Sequence, residues 1–250
     1  MGKKKIIACL DNKNGKVVKG IKFKDIKELG DPVELAMKYE KAGVDQLAFY
    51  DISASVEGRT LFLDLLKKVT ECTTVPVNAA GGIMTIEDCE KVFEAGASMV
   101  SINSGAIVNP QFVKEASKTF GREKITVSVD IGKVQNTYKV FTSAGQKDTG
   151  LDAMDWIKKM DNYGAGNFII NSIDCDGVQQ GYNLELLKLI TEITDVPVTA
   201  SGGAGSIEDF VQLFEQVPKV DSALAASIFH YNQVDIRELK ETLRERGVIL

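Results

Sequence analysis

Histidine and tryptophan each occur once in 250 residues, proline five times and cysteine four times. The single His230 has no Cys or His partner at metal-ligand spacing, which argues against a metal centre. Cys9, Cys72, Cys89 and Cys175 are widely separated and make no CxxC pair; in a long chain without a secretory signal they read as reduced and cytoplasmic. Behind the basic N-terminal residues only five apolar ones, Ile6 to Leu10, precede Asp11, too few for a signal-peptide core. No run approaches the ~18 apolar residues that cross a bilayer. Positive charge is short as well. Lys+Arg 30 against Asp+Glu 35 gives −5, with no basic surplus to grip a polyanion, so nucleic acid is a poor partner. No Pro/Ser-rich linker divides the chain, which reads as one domain over 1–250.

What is present is a 44% hydrophobic, 26% charged composition, enough for a sizeable core. Near-continuous apolar runs predict strands at 5–10, 46–51, 75–79, 99–103, 124–129, 167–172, 196–200 and 222–226. Amphipathic patterns between them predict helices at about 31–43, 59–72, 85–95, 109–119, 152–164, 183–193, 206–217 and 234–246. Eight strand–helix pairs imply a parallel sheet with right-handed crossovers. The length, near the ~250 residues usual for a (β/α)8 TIM barrel, agrees. An internal repeat sharpens this α/β reading. Val75-Pro76-Val77-Asn78-Ala79-Ala80-Gly81-Gly82 recurs as Val196-Pro197-Val198-Thr199-Ala200-Ser201-Gly202-Gly203, followed by the capping boxes Thr85–Asp88 and Ser206–Asp209. Ile6–Asp11 likewise matches Ile125–Asp130. Two homologous (β/α)4 halves, about 1–121 and 122–250, close into one barrel, since an open half would expose sheet edges.

Such barrels work at the C-terminal ends of their strands. Asp11 and Asp130 close equivalent strands in the two halves, on opposite sides of the mouth, and suit general acid/base work; each taken singly also reads as a loop cap, and their symmetric pairing favours catalysis. Asp51 and Asp176 sit at the same level and serve support or binding. Gly81-Gly82 and Gly202-Gly203 each follow a strand and precede a capped helix, where backbone N–H groups meet an anion. One such turn is merely tight. Two, joined by Asn103-Ser104 and by Ala225-Ala226-Ser227, predict a ligand with a phosphate at each end. Two long loops flank the mouth. The first, roughly Asn12 to Gly30, carries the hairpin signal Asn14-Gly15, then Lys19, a candidate electrostatic contact. The second, Ile131 to Gly150, suggests another hairpin; both read as covers or as solvated decoration. His230 fits a packed or hydrogen-bonded structural role, Cys9 a core position, and Met154 and Trp156 a helix-to-barrel contact.

Ile6-Ile7-Ala8-Cys9-Leu10-Asp11, Val17-Val18-Lys19-Gly20, Gly30-Asp31-Pro32-Val33-Glu34, Tyr50-Asp51-Ile52-Ser53-Ala54-Ser55, Ser101-Ile102-Asn103-Ser104, Asp174-Cys175-Asp176-Gly177, Ala200-Ser201-Gly202-Gly203-Ala204-Gly205 and Leu224-Ala225-Ala226-Ser227-Ile228-Phe229-His230 together resemble the cyclase subunit of imidazole glycerol phosphate synthase, of histidine biosynthesis. The isomerase preceding it in the pathway shares the two-half barrel, but the long loops favour the cyclase. The resemblance implies a lyase without cofactor that uses ammonia, normally from a partner glutaminase. It converts a bis-phosphorylated formimino carboxamide ribotide into imidazole glycerol phosphate and aminoimidazole carboxamide ribotide.

It further implies Asp11 and Asp130 as the acid/base pair and Lys19 on a mobile loop. The phosphates would meet Gly82, Asn103 and Ser104 at one end, and Gly177, Gly203, Ala226 and Ser227 at the other. Departures concentrate at the opposite barrel face. There the family's ammonia gate of arginine, glutamate, lysine and glutamate is matched by Lys5, Gln46, Met99 and Asn167, and a docking aspartate by Ser98. Ala144 replaces a serine near the ligand, and Asn78, Ala79 and Gly105 are also unusual. Two other readings fit these departures: a paralogue giving ammonia to another acceptor, as in sugar amidination, or a non-catalytic or engineered barrel with a remodelled bottom face.

Overall fold

The computed structural model describes residues 2–21, 24–54, 57–143 and 145–250, with the side chains of 19–27 outside that description. The first half runs β1 (Lys5–Lys13), β2 (Lys16–Ile21), β3 (Lys24–Gly30), α1 (Pro32–Ala42), β4 (Gln46–Asp51), α2 (Leu63–Glu71), β5 (Val77–Ala80), α3 (Ile86–Glu94), β6 (Met99–Ile102), α4 (Ser104–Val108) and α5 (Pro110–Phe120). The second runs β7 (Ile125–Val134), β8 (Thr137–Thr142), β9 (Lys147–Asp152), α6 (Ala153–Asn162), β10 (Asn167–Ser172), α7 (Leu184–Ile193), β11 (Val198–Ser201), α8 (Ile207–Gln216), β12 (Ser222–Ala225), α9 (Ser227–His230) and α10 (Ile236–Glu245). Eight of the strands pair in parallel in the ring β1-β4-β5-β6-β7-β10-β11-β12. Pairing of β12 with β1 closes it. This is the (β/α)8 barrel the alternating pattern predicts.

Local chemistry explains the elements. Asp31 caps α1 by accepting from Val33 and Glu34 N–H groups, Pro32 sits where its missing N–H costs nothing, and Gly43 at φ +87° ends the helix. The capping box of α3 is reciprocal: Thr85 N–H donates to Asp88 at 3.0 Å and Asp88 N–H to Thr85 Oγ1 at 3.1 Å. Before α8, Asp209 accepts from the N–H groups of both Gly205 and Ser206 at 2.8 Å. Between strands and helices lies one large apolar core, including Phe49, Phe168 and Phe210.

Alternation along the strands turns the other face inward, and its residues form layers. The first inward positions at the N-terminal end are Lys5, Gln46, Asn78, Met99, Thr126, Asn167, Thr199 and Ser222. Above them lies a separate apolar cluster of Ile7, Cys9, Ala48, Ile169 and Leu224. The mouth follows. The barrel is therefore polar at its floor and at its opening, with the apolar cluster between them sharing its level with the hydrogen-bonded pair Ser101 and Ser128.

Both long loops are built alike, and more elaborately than a hairpin. β1 runs past the barrel into β2 and β3 as an antiparallel meander, and β7 does the same into β8 and β9. Asn14 and Gly15, both at positive φ, turn the first strand pair as the Asn-Gly signal predicts. The helices α4 and α9, after β6 and β12, appear in no sequence expectation. His230 accepts or donates through Nδ1 at the Tyr39 hydroxyl, and Trp156 is buried in α6, both structural placements. None of the four cysteines bridges another.

Candidate active site

A cavity of about 760 Å³ opens at the C-terminal ends of the strands. Asp11, Asp51, Asp130 and Asp176 all line it, and each is buried. Asp11 on β1 and Asp130 on β7 are four strands apart in a ring of eight, so they face each other across the mouth. Gly82, Asn103 and Ser104 line the side formed by β5 and β6. Gly177, Gly203, Ala226 and Ser227 line the side opposite, around β11 and β12. Thus eleven of the twelve residues expected in the site from sequence share one cavity. The twelfth, Lys19, has its side chain outside the described residues, as do the whole of Ser55 and Ala144.

Asp130 is held by two amides that sequence reasoning placed elsewhere or missed. Asn103 Nδ2 donates to Oδ2 and Asn171 Nδ2 to Oδ1, each at 3.1 Å. The Ser201 hydroxyl donates to Asn171 Oδ1 at 3.3 Å and so fixes which way that amide faces. Burial pushes the Asp130 carboxyl above the ordinary carboxylate range; the two amides oppose the shift, and the charge of Asp176 adds to it. Asp11 accepts from the Cys9 thiol at 3.3 Å. Cys9, expected as core, is thus both core and cavity wall.

The two glycine turns are equivalent in construction. A Cβ on Gly82 would lie 1.8 Å from the Arg59 carbonyl oxygen, and one on Gly203 2.0 Å from that of Gly181. Both have positive φ, +61° and +111°. Only glycine permits this approach, and both turns line the cavity with bare main chain. The short helices begin beside them at Ser104 and Ser227, the arrangement by which many barrels receive a phosphate.

The floor residues sit at the other end. Lys5 is exposed, Gln46 is buried, and Met99 and Asn167 are half-buried. Among the described residues, Gln46 Nε2, Asn78 Oδ1, Asn167 Oδ1 and Thr199 Oγ1 are buried without a hydrogen-bond partner. Asn78 Nδ2 does reach Thr126 Oγ1, at 3.2 Å. No group of three His, Cys, Asp or Glu among the described residues is placed to hold a metal ion, and no helix there is long and apolar enough to cross a membrane.

Comparison with known proteins gives a consistent result. The family described as histidine biosynthesis protein matches residues 5–235. Imidazole glycerol phosphate synthase subunit HisF of Metallosphaera sedula is 46% identical, covering 99% of this chain and 98% of its own. The proteins of the same name from Natranaerobius thermophilus and a Thermotoga species are 44% and 43% identical. Each covers 98% of this chain, with 97% and 96% of their own lengths matched.

Proposed function

Since the chain belongs to the histidine biosynthesis protein family and matches its HisF subunits from end to end, we propose that it is the cyclase of imidazole glycerol phosphate synthase, a lyase acting with ammonia on a bis-phosphorylated formimino carboxamide ribotide. The observation that carries the reading is one cavity with carboxylates facing across its mouth and a glycine turn at each end. That spacing suits a substrate with two phosphates and its reacting atoms between them.

Ammonia adds to the ketone carbon of the ribulosyl arm, and water leaves as the imine forms. The same nitrogen then attacks the formimino carbon. The bond from that carbon to the aminoimidazole nitrogen breaks, releasing aminoimidazole carboxamide ribotide, and loss of one proton from the ribulosyl methylene carbon leaves the aromatic imidazole ring. Both the departing water and the departing amine need protons. Asp130, whose pKa is raised, supplies them, and Asp11 on the other side removes protons from the attacking nitrogen and from the ribulosyl methylene carbon. Gly82, Asn103 and Ser104 take one phosphate; Gly177, Gly203, Ala226 and Ser227 take the other. Lys19 contributes a cation from the first loop, and Asp51 and Asp176 order the surrounding turns.

The relatives are named as subunits, and a glutaminase is the partner that fits an ammonia-using subunit. Lys5 is the one charged residue among Lys5, Gln46, Met99 and Asn167 at the floor, with Ser98 beside them, so coupling to a glutaminase here is weak and free ammonia serves. We read residues 1–250 as one domain with half-barrels at about 1–121 and 122–250, each supplying four barrel strands, and place it in the cytoplasm. An assay with the ribotide and an ammonium salt tests the proposal. Formation of both products, lost in Asp11→Asn without loss of folding, supports it. No turnover despite intact phosphate binding overturns it.

A further inference from the structure

Arg59 lies on the β4–α2 loop, hydrogen-bonded to Asp51, Ser53 and Glu57 of the cavity wall, and is outside every group of residues given a role above. Its guanidinium donates to five acceptors. Nη1 meets Asp51 Oδ2 at 2.6 Å and the Thr60 carbonyl at 3.1 Å; Nη2 meets Ser53 Oγ at 2.9 Å and Asp51 Oδ1 at 3.3 Å; Nε meets Glu57 Oε2 at 2.7 Å. A guanidinium has five N–H donors, so none is left over for a ligand. The fork on Asp51 is the strong, directional kind of ion pair. Arg59 is built to hold something in place.

What it holds is the first glycine turn. The Arg59 carbonyl occupies the space of a Cβ on Gly82, while Asp51 Cβ and its carbonyl oxygen lie 2.8 Å from one on Gly81. Gly81-Gly82 is therefore wedged between the two members of the ion pair. Leu61 N–H donates to the Gly81 carbonyl at 3.1 Å, and Thr60 Oγ1 to Asp88 of the α3 capping box at 3.1 Å. The mirror turn, Gly202-Gly203, is wedged in the same way against Ser172, Asp176 and Gly181. Its loop, Asp176-Gly177-Val178-Gln179-Gln180-Gly181, carries no cation. The brace of the first turn is ionic, and its cation comes from the loop that the turn packs against.

We infer that Arg59 is a positioning residue which, through its fork on Asp51, fixes the Gly81-Gly82 main chain to receive one phosphate end of the substrate. This rests on the cyclase reading for the identity of the substrate, but not for the anion. Loss of the brace lets the turn drift and weakens one phosphate site alone.

The test uses the full chain, with Arg59→Ala and Arg59→Lys, titrated with inorganic phosphate while the amide resonances of Gly82 and Gly203 are followed. Affinity read at Gly82 falls about tenfold in Arg59→Ala, the order expected for losing a charge-assisted contact, and stays within about twofold at Gly203. Arg59→Lys keeps the charge without the fork and gives an intermediate loss; it carries the test alone if the alanine variant does not fold. With the ribotide and ammonia, KM rises by a similar factor while kcat changes far less. Equal losses at both glycines, no loss at either, or no phosphate at Gly82 in the unaltered protein overturns the inference. Turnover failing while Gly82 alone responds removes the cyclase reading and leaves Arg59 its role.

Discussion

Asp130 shows how burial prepares a single carboxyl for its task. Its surroundings favour the protonated form, and Asn103 and Asn171 restrain that preference without reversing it. Asp130→Asn lowers turnover by about 10²–10⁴-fold, the usual share of one acid or base, in an ammonium-dependent assay. The same variant has a stability signature. A carboxyl whose pKa rises on folding favours the folded state below the ordinary carboxylate range, and that advantage is lost as pH rises through the raised value. The melting temperature of Asp130→Asn relative to the unaltered chain therefore increases from pH 4 to pH 7. At the floor, Thr199 is a different case: its hydroxyl is buried with no partner among the described residues. Thr199→Val removes a desolvated polar atom at nearly constant volume and stabilises the protein by up to about 1 kcal/mol in urea unfolding.

Among the elements, the two glycine turns make the sharpest prediction. Gly82→Ala forces a methyl group into the Arg59 carbonyl at a positive φ, and costs more than about 1 kcal/mol in urea unfolding while raising KM for the ribotide. The barrel strands were legible because helices cover their outer faces, so β4 and β10 read as apolar runs with the bounds observed, 46–51 and 167–172. The meanders were legible only at their turns. β9, Lys147-Asp148-Thr149-Gly150-Leu151-Asp152, is largely exposed, and no apolar period marks it. The helices α4 and α9 span one turn each, too short for a 3.6-residue pattern to repeat. Strand ends pointed to the four carboxylates. Asn171 also ends an inward row and was open to the same reasoning, whereas Arg59 owes its role to a loop folding back, which no local pattern reveals.

For the whole molecule, the barrel sets a polar floor, a level that is apolar apart from Ser101 and Ser128, and a polar mouth along one axis. Lys5 is the one charged residue of the inward floor ring, which is the ground for the proposal that the site draws on free ammonia. Turnover with an ammonium salt then rises with pH as the ammonia fraction grows, and adding a glutaminase with glutamine increases it little at equal ammonia supply. The decisive proposal is joint action of opposed carboxylates and two glycine turns on one bis-phosphorylated substrate. Its most direct measurement is product formation from the ribotide and an ammonium salt by the unaltered chain and by Asp11→Asn. Equimolar imidazole glycerol phosphate and aminoimidazole carboxamide ribotide are expected from the first and neither from the second, with both proteins folded. Ribotide bound but left intact by the unaltered chain, or turned over equally by both, would contradict it.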